Sequence, residues 1–202
     1  MTKIKLCGLT RLTDIQTVNQ LKPDYIGFVF APKSKRYIKP EQAAELKTFL
    51  DPEIAAVGVF VNEVPETIAA LLNQNIIDLA QLHGSEDETY IQRLRHLTTK
   101  PLIKAFKINN KADLESAENS SADFILLDAG AGDGQTFDWD LLKSFTRSYF
   151  LAGGLNPLNV KAAIEKLSPY AVDVSSGIET NGAKDAVKMK SFVAAVNITE
   201  TR

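Results

Sequence analysis

Short runs of β-branched and apolar residues return along the whole chain, and stretches with helical spacing lie between them. Strands are expected near Ile4–Cys7, Tyr25–Phe30, Ala55–Val61, Ile76–Leu82, Leu102–Phe106, Phe124–Asp128, Tyr149–Ala152 and Ala171–Ser175. Helix-start signals fall in the gaps. Thr13 precedes Asp14, Pro40 and Pro65 each open an apolar-polar run, Ser85 precedes Glu86–Leu97, and Asn156-Pro157 precedes Leu158–Leu167. A last helical stretch runs from Lys184 to Val196. The fifth connection, Asn109 to Ser121, has the weakest helix signal, so a short or irregular fifth helix is expected.

Strands joined by helical crossovers pair in parallel, because parallel neighbours need long connections. An open doubly wound sheet and a (β/α)8 barrel both meet that demand. The even repeat of roughly 25 residues and the count of eight favour the barrel. No GxGxxG follows the first strand to support a dinucleotide fold. The expected fold is therefore an α/β protein with a single (β/α)8 TIM barrel over residues 1–202. Alternation sorts each strand into two faces, with Lys3, Lys5 and Cys7 sharing one and Ile4 and Leu6 the other. Leu79, Gln81 and His83 share a face, as do Leu126 and Asp128, and Asp173 and Ser175. The apolar faces must meet the helices, which turns the polar sets into the barrel.

Composition narrows the function more than the fold. The chain is 45% hydrophobic and 24% charged with a formal net charge of −2, which lacks the basic footprint of a nucleic-acid binder. The longest apolar run, Ile54 to Val61, is too short to span a bilayer, and no signal-peptide region follows Met1. A single cysteine argues against a disulfide-built secreted domain. A cytoplasmic protein without membrane or nucleic-acid partners is expected, with the oligomeric state open.

The candidate chemistry sits at strand ends, the face on which this fold builds active sites. Cys7 ends the first strand before Gly8; taken alone, a free cysteine is more often a small buried hydrophobe than a reactive thiol. Glycines follow the seventh strand (Gly153, Gly154) and the eighth (Ser176, Gly177), where backbone N–H groups can approach an anion. Either loop alone reads as a tight turn; two adjacent ones favour a phosphate site. Asp128 ends the sixth strand, as a general acid or as a turn cap. The glycine-rich stretch Ala129–Thr136 after it has the composition of a lid anchored by Phe137-Asp138-Trp139. Arg36 offers a planar fork to a carboxylate, although three basic residues in five also describe a solvated loop. His83 is either a titrating group or a hydrogen-bonded structural one. No cluster has zinc spacing, so no metal is expected.

In order along the chain come Lys5-Leu6-Cys7-Gly8-Leu9-Thr10, Gly27-Phe28-Val29-Phe30, Ser34-Lys35-Arg36-Tyr37 and Gln81-Leu82-His83-Gly84. Leu126-Leu127-Asp128, Leu151-Ala152-Gly153-Gly154-Leu155 and Asp173-Val174-Ser175-Ser176-Gly177-Ile178-Glu179 follow. This ordered set resembles the phosphoribosylanthranilate isomerases of tryptophan biosynthesis over nearly the whole chain. Ala131, Asp133 and Gln135 depart from the family's usual lid.

The resemblance implies a cofactor-free Amadori rearrangement of a phosphorylated small molecule. By position, Asp128 matches the general acid, Cys7 the general base, and Arg36 the holder of the anthranilate carboxylate. Gly153, Gly154, Ser176 and Gly177 match the phosphate loops, while Asp173 and His83 are further substrate-binding candidates. Lys5, on the strand face of Cys7, is expected to supply positive potential that favours the thiolate.

Three rivals fit less well. An indole-glycerol-phosphate synthase would carry lysine and glutamate on early strands, and a ribulose-phosphate epimerase would show metal ligands with a histidine pair. A non-catalytic phosphate-binding barrel would need neither Cys7 nor Asp128.

Overall fold

The computed structural model describes residues 1–129 and 139–198. Eight parallel strands close into a barrel in sequence order. They are β1 (Lys3–Cys7), β2 (Tyr25–Val29), β3 (Ala55–Phe60), β4 (Leu79–Leu82), β5 (Leu102–Lys107), β6 (Phe124–Asp128), β7 (Tyr149–Ala152) and β8 (Ala171–Val174). The ring closes where Lys5 of β1 stands beside Asp173 of β8 on one side and Tyr25 of β2 on the other. Around it lie α1 (Leu12–Leu21), α2 (Pro40–Thr48), α3 (Pro65–Asn73), α4 (Glu88–Arg95), α5 (Lys111–Glu118), α6 (Val160–Leu167) and α7 (Ala186–Ile198).

The elements follow the expected order, with local differences. The fifth helix is short but regular: the Asn110 side chain accepts from Ala112 and Asp113 N–H, and Asp113 accepts from Asn109 and Asn110 N–H. The irregular connection is the sixth, where a 3-10 helix spans Trp139–Ser144. Residues 130–138, which hold all of the expected lid Ala129–Thr136 but Ala129, together with Phe137 and Asp138 of its anchor, lie outside the described residues.

The fourth strand starts at Leu79 rather than Ile76, because α3 ends in a turn with Asn75 at φ 56°. Ile76 and Ile77 N–H groups return to the Leu71 carbonyl in that turn. The fourth helix starts at Glu88 behind an Asp87 cap, since Glu86 turns inward. Its carboxylate accepts from Lys104 at 2.9 Å and from the N–H groups of Asn62 and Gly84.

Two apolar layers follow from the alternation. One, between strands and helices, includes fully buried Leu6, Ile26, Phe28, Phe60 and Phe192; each such side chain contributes about 1.5–3 kcal/mol. The other fills the lower barrel with Val57, Leu79, Ile103, Leu126 and Phe150, above Tyr25, Phe124 and Tyr170. Above that plug the interior turns polar. Among the described residues no helix is long and apolar enough to cross a membrane, and no group of three or more His, Cys, Asp or Glu could hold a metal ion.

Candidate active site

A cavity of about 650 Å³ opens at the carboxyl ends of the strands. Cys7, Arg36, His83, Asp128, Asp173, Gly153, Gly154 and Ser176 all line it; of the expected site residues only Gly177 does not. The two candidate catalytic groups stand on β1 and β6, with β7 and β8 between them on the shorter way round.

Cys7 faces Gly27 across the β1–β2 ladder. A Cβ on Gly27 would stand 2.5 Å from the Cys7 sulfur and 3.1 Å from its Cα, so the thiol occupies the space a side chain would fill. Cys7 is only 7% exposed. Burial pushes its pKa up; Lys5 and Lys184 pull it down while Asp173 adds to the rise, and burial prevails. The charge of Lys5 thus does favour the thiolate, but desolvation outweighs it and the net shift is upward.

Lys5 is fully buried, among the largest side chains to be so among the described residues. Its ammonium donates to Gln81 Oε1 at 2.8 Å and to Asp173 Oδ2 at 3.0 Å. Burial would lower the Lys5 pKa, but Asp173 and Cys7 together more than offset this and raise it. Asp173 Oδ1 is buried and has no hydrogen-bond partner among the described residues, a costly state for a carboxylate oxygen unless a ligand or water donates to it. Gln81 Nε2 lies 2.7 Å from His83 Nδ1, and His83 Nε2 lies 3.4 Å from Asp128 Oδ2. One polar chain therefore runs inside the barrel from the Lys5 ammonium to Asp128.

Arg36 is held differently from the expectation of an open fork. Its Nε and Nη2 donate to the two Glu179 oxygens at 2.6 and 2.9 Å, and this pairing raises its pKa. Glu179 begins a two-stranded hairpin, β9 (Glu179–Thr180) and β10 (Ala183–Lys184), turned by Asn181 and Gly182 at φ 53° and 79°. Its cross-strand partner Lys184 donates to Glu179 at 2.6 Å and to the Ser175 carbonyl at 2.9 Å. Burial, partly offset by Glu179 and Cys7, lowers the Lys184 pKa.

The loops after β7 and β8 meet as one unit. Gly153 and Gly154 hold φ of 100° and 67°, which only glycine adopts without strain. The backbone N–H groups of Gly153, Gly154 and Ser176 find no acceptor among the described residues. Gly177 serves from behind: a Cβ there would stand 1.9 Å from the Leu155 carbonyl oxygen, so its bare backbone lets the two loops touch.

Glu179 and Lys184 were not expected in a site role, although Asn181-Gly182 is a strong hairpin signal that would have set them side by side. Gln81 and Lys107, which also line the cavity, were legible from alternation with His83 and with Ala105.

The family model described as N-(5'phosphoribosyl)anthranilate (PRA) isomerase matches residues 4–195. The N-(5'-phosphoribosyl)anthranilate isomerase of Endomicrobium trichonymphae is 50% identical over 194 residues, covering 94% of this chain and 95% of that one. The crystal structure of phosphoribosyl anthranilate isomerase from Thermotoga maritima is 40% identical with a TM-score of 0.90, covering 98% of this chain and 99% of its own. A phosphoribosyl anthranilate isomerase in complex with reduced 1-(o-carboxyphenylamino)-1-deoxyribulose 5-phosphate is also 40% identical, at a TM-score of 0.87 and the same coverage. Matched from first strand to last helix, and with its expected site residues gathered at one barrel mouth, the chain belongs to the phosphoribosylanthranilate isomerase family.

Proposed function

We propose that this chain isomerises N-(5'-phosphoribosyl)anthranilate to 1-(2-carboxyphenylamino)-1-deoxyribulose 5-phosphate, with Asp128 as general acid and Cys7 as general base. Asp128 protonates the ribose ring oxygen; the bond from that oxygen to C1 breaks, and the anthranilate nitrogen forms the Schiff base with its lone pair. The Cys7 thiolate takes the proton from C2, the freed electrons form the C1–C2 double bond, and the nitrogen recovers its pair. The enolamine then moves its hydroxyl proton to C1 and becomes the ketone. The proton given by the acid equals the proton taken by the base, so the sum is an isomerisation.

The observation that carries this reading is one cavity holding a thiol and a carboxylate from facing parts of the ring, between an anion site and an arginine. The N–H groups of Gly153, Gly154 and Ser176, without an acceptor among the described residues, suit a phosphate. Arg36 keeps Glu179 on Nε and Nη2, which directs its Nη1 side to the substrate carboxylate. The free Asp173 Oδ1 suits a ribose hydroxyl. Anchors at both ends of the substrate hold C1 and C2 between acid and base, so orientation does much of the catalysis.

Consumption of phosphoribosylanthranilate, followed by its fluorescence, tests the assignment. Cys7→Ala and Asp128→Asn should each lose about 10²- to 10⁴-fold in kcat while still binding a product analogue. Near-normal turnover in either variant overturns it.

A further inference from the structure

The polar chain inside the barrel carries a further assignment. A lysine ammonium has donors only, so the Gln81 atom 2.8 Å from Lys5 Nζ must be the amide oxygen. The amide nitrogen then faces His83 Nδ1 at 2.7 Å and donates to it. A ring nitrogen that accepts carries no hydrogen, which leaves the His83 hydrogen on Nε2, the atom 3.4 Å from Asp128 Oδ2. Turning the amide round is blocked, because its N–H groups would then meet the ammonium. The order of donors is thus dictated from one end by a cation that Asp173 holds in place from β8.

We propose that Gln81 is a positioning residue that holds His83 as the Nε2–H tautomer and so aims a hydrogen-bond donor, rather than a bare lone pair, at the Asp128 carboxyl. The assignment rests on the reading of Asp128 as the general acid. After Asp128 has released its proton to the ring oxygen, the carboxylate that forms meets an N–H at a distance that needs only a small approach. The opposite tautomer would present a lone pair to that new charge and repel it. Gln81 touches no reacting atom in this scheme, and its effect reaches the substrate only through the ring of His83.

The experiment is imidazole ¹⁵N spectroscopy combined with steady-state kinetics. The chain has two histidines, and His96→Asn on the exposed end of α4 leaves His83 as the single reporter without touching the site. The ring nitrogens should show Nε2 protonated and Nδ1 bare. Gln81→Glu keeps the acceptor for Lys5 but offers Nδ1 only an acceptor, so the hydrogen should move to Nδ1. With it, kcat should fall by up to about a hundredfold while KM changes little. Nδ1 protonation in the native chain overturns the proposal without recourse to any variant. So does a Gln81→Glu protein whose tautomer or kcat is unchanged. Failure of the acid assignment shows separately, as normal turnover in Asp128→Asn with the Nε2–H tautomer intact.

Discussion

Replacing Gly27 with alanine would drive a methyl group into the space of the Cys7 sulfur. The new Cβ would sit 2.5 Å from Sγ and 3.1 Å from Cys7 Cα and Cβ. That is about 1 Å inside the roughly 3.5–4.0 Å at which non-bonded heavy atoms attract best. Cys7 pairs with Gly27 in the ladder, so its backbone cannot retreat without loosening β1 from β2. Overpacking of this kind costs about 1–3 kcal/mol, or roughly 2–4 °C of Tm per kcal/mol for a chain this long. Expelling the thiol by an ångström should also lower kcat about a hundredfold.

Kinetics and thermal melts of Gly27→Ala give both numbers. The same substitution in a Cys7→Ala background isolates the sulfur contact, because only the 3.1 Å contacts then remain. The stability penalty should shrink in that background. Equal penalties in both, or wild-type kcat in Gly27→Ala, would refute the claim that glycine is there to seat the thiol.

Other expectations concern charge and the phosphate loops. Because burial raises the Cys7 pKa, direct titration of the thiol by its thiolate absorbance should place its midpoint above about 8.5, the ordinary thiol value, and Lys5→Met should move that midpoint higher still; a thiolate formed well below that pH would contradict the burial argument. Gly177→Ala would press a methyl group against the Leu155 carbonyl, so KM for the phosphorylated substrate should rise several-fold more than kcat falls, read from saturation curves. Lys104→Met would strand the buried Glu86 carboxylate and should cost about 3–5 kcal/mol in urea unfolding. Burial alone would raise the Glu86 pKa, but Lys104 and the Asn62 N–H outweigh it and hold it low. Its contribution is therefore present above about pH 4.3 and lost as pH falls through the lower folded value; Glu86→Gln should flatten that acid limb.

The barrel was legible because each strand repeats the same alternation. Phe124–Asp128 and Tyr149–Ala152 begin and end where their apolar runs do. The boundary at Ile76 was not, since a left-handed Asn75 closes α3 and turns two isoleucines from strand into wrapping core. Cavity-lining residues were likewise readable as strand-end chemistry. Their partners were harder. Glu179 stands 143 residues from Arg36 along the chain, and no local pattern says which carboxylate reaches that fork. The rise in the Cys7 pKa had the same origin: a neighbouring lysine is visible in sequence, but the depth of burial that outweighs it belongs to the closed barrel.

The buried Lys5 has a bearing on redesign. Where a barrel interior is ordinarily the place to gain thermal stability by repacking with aliphatic side chains, here that layer holds an ammonium tied to Asp173 and Gln81. Any aliphatic replacement would leave a buried carboxylate without its counter-ion and remove the field that acts on the thiol. Stabilising substitutions that spare turnover must therefore leave the Lys5 layer intact and come from the helical shell or from the apolar plug below it.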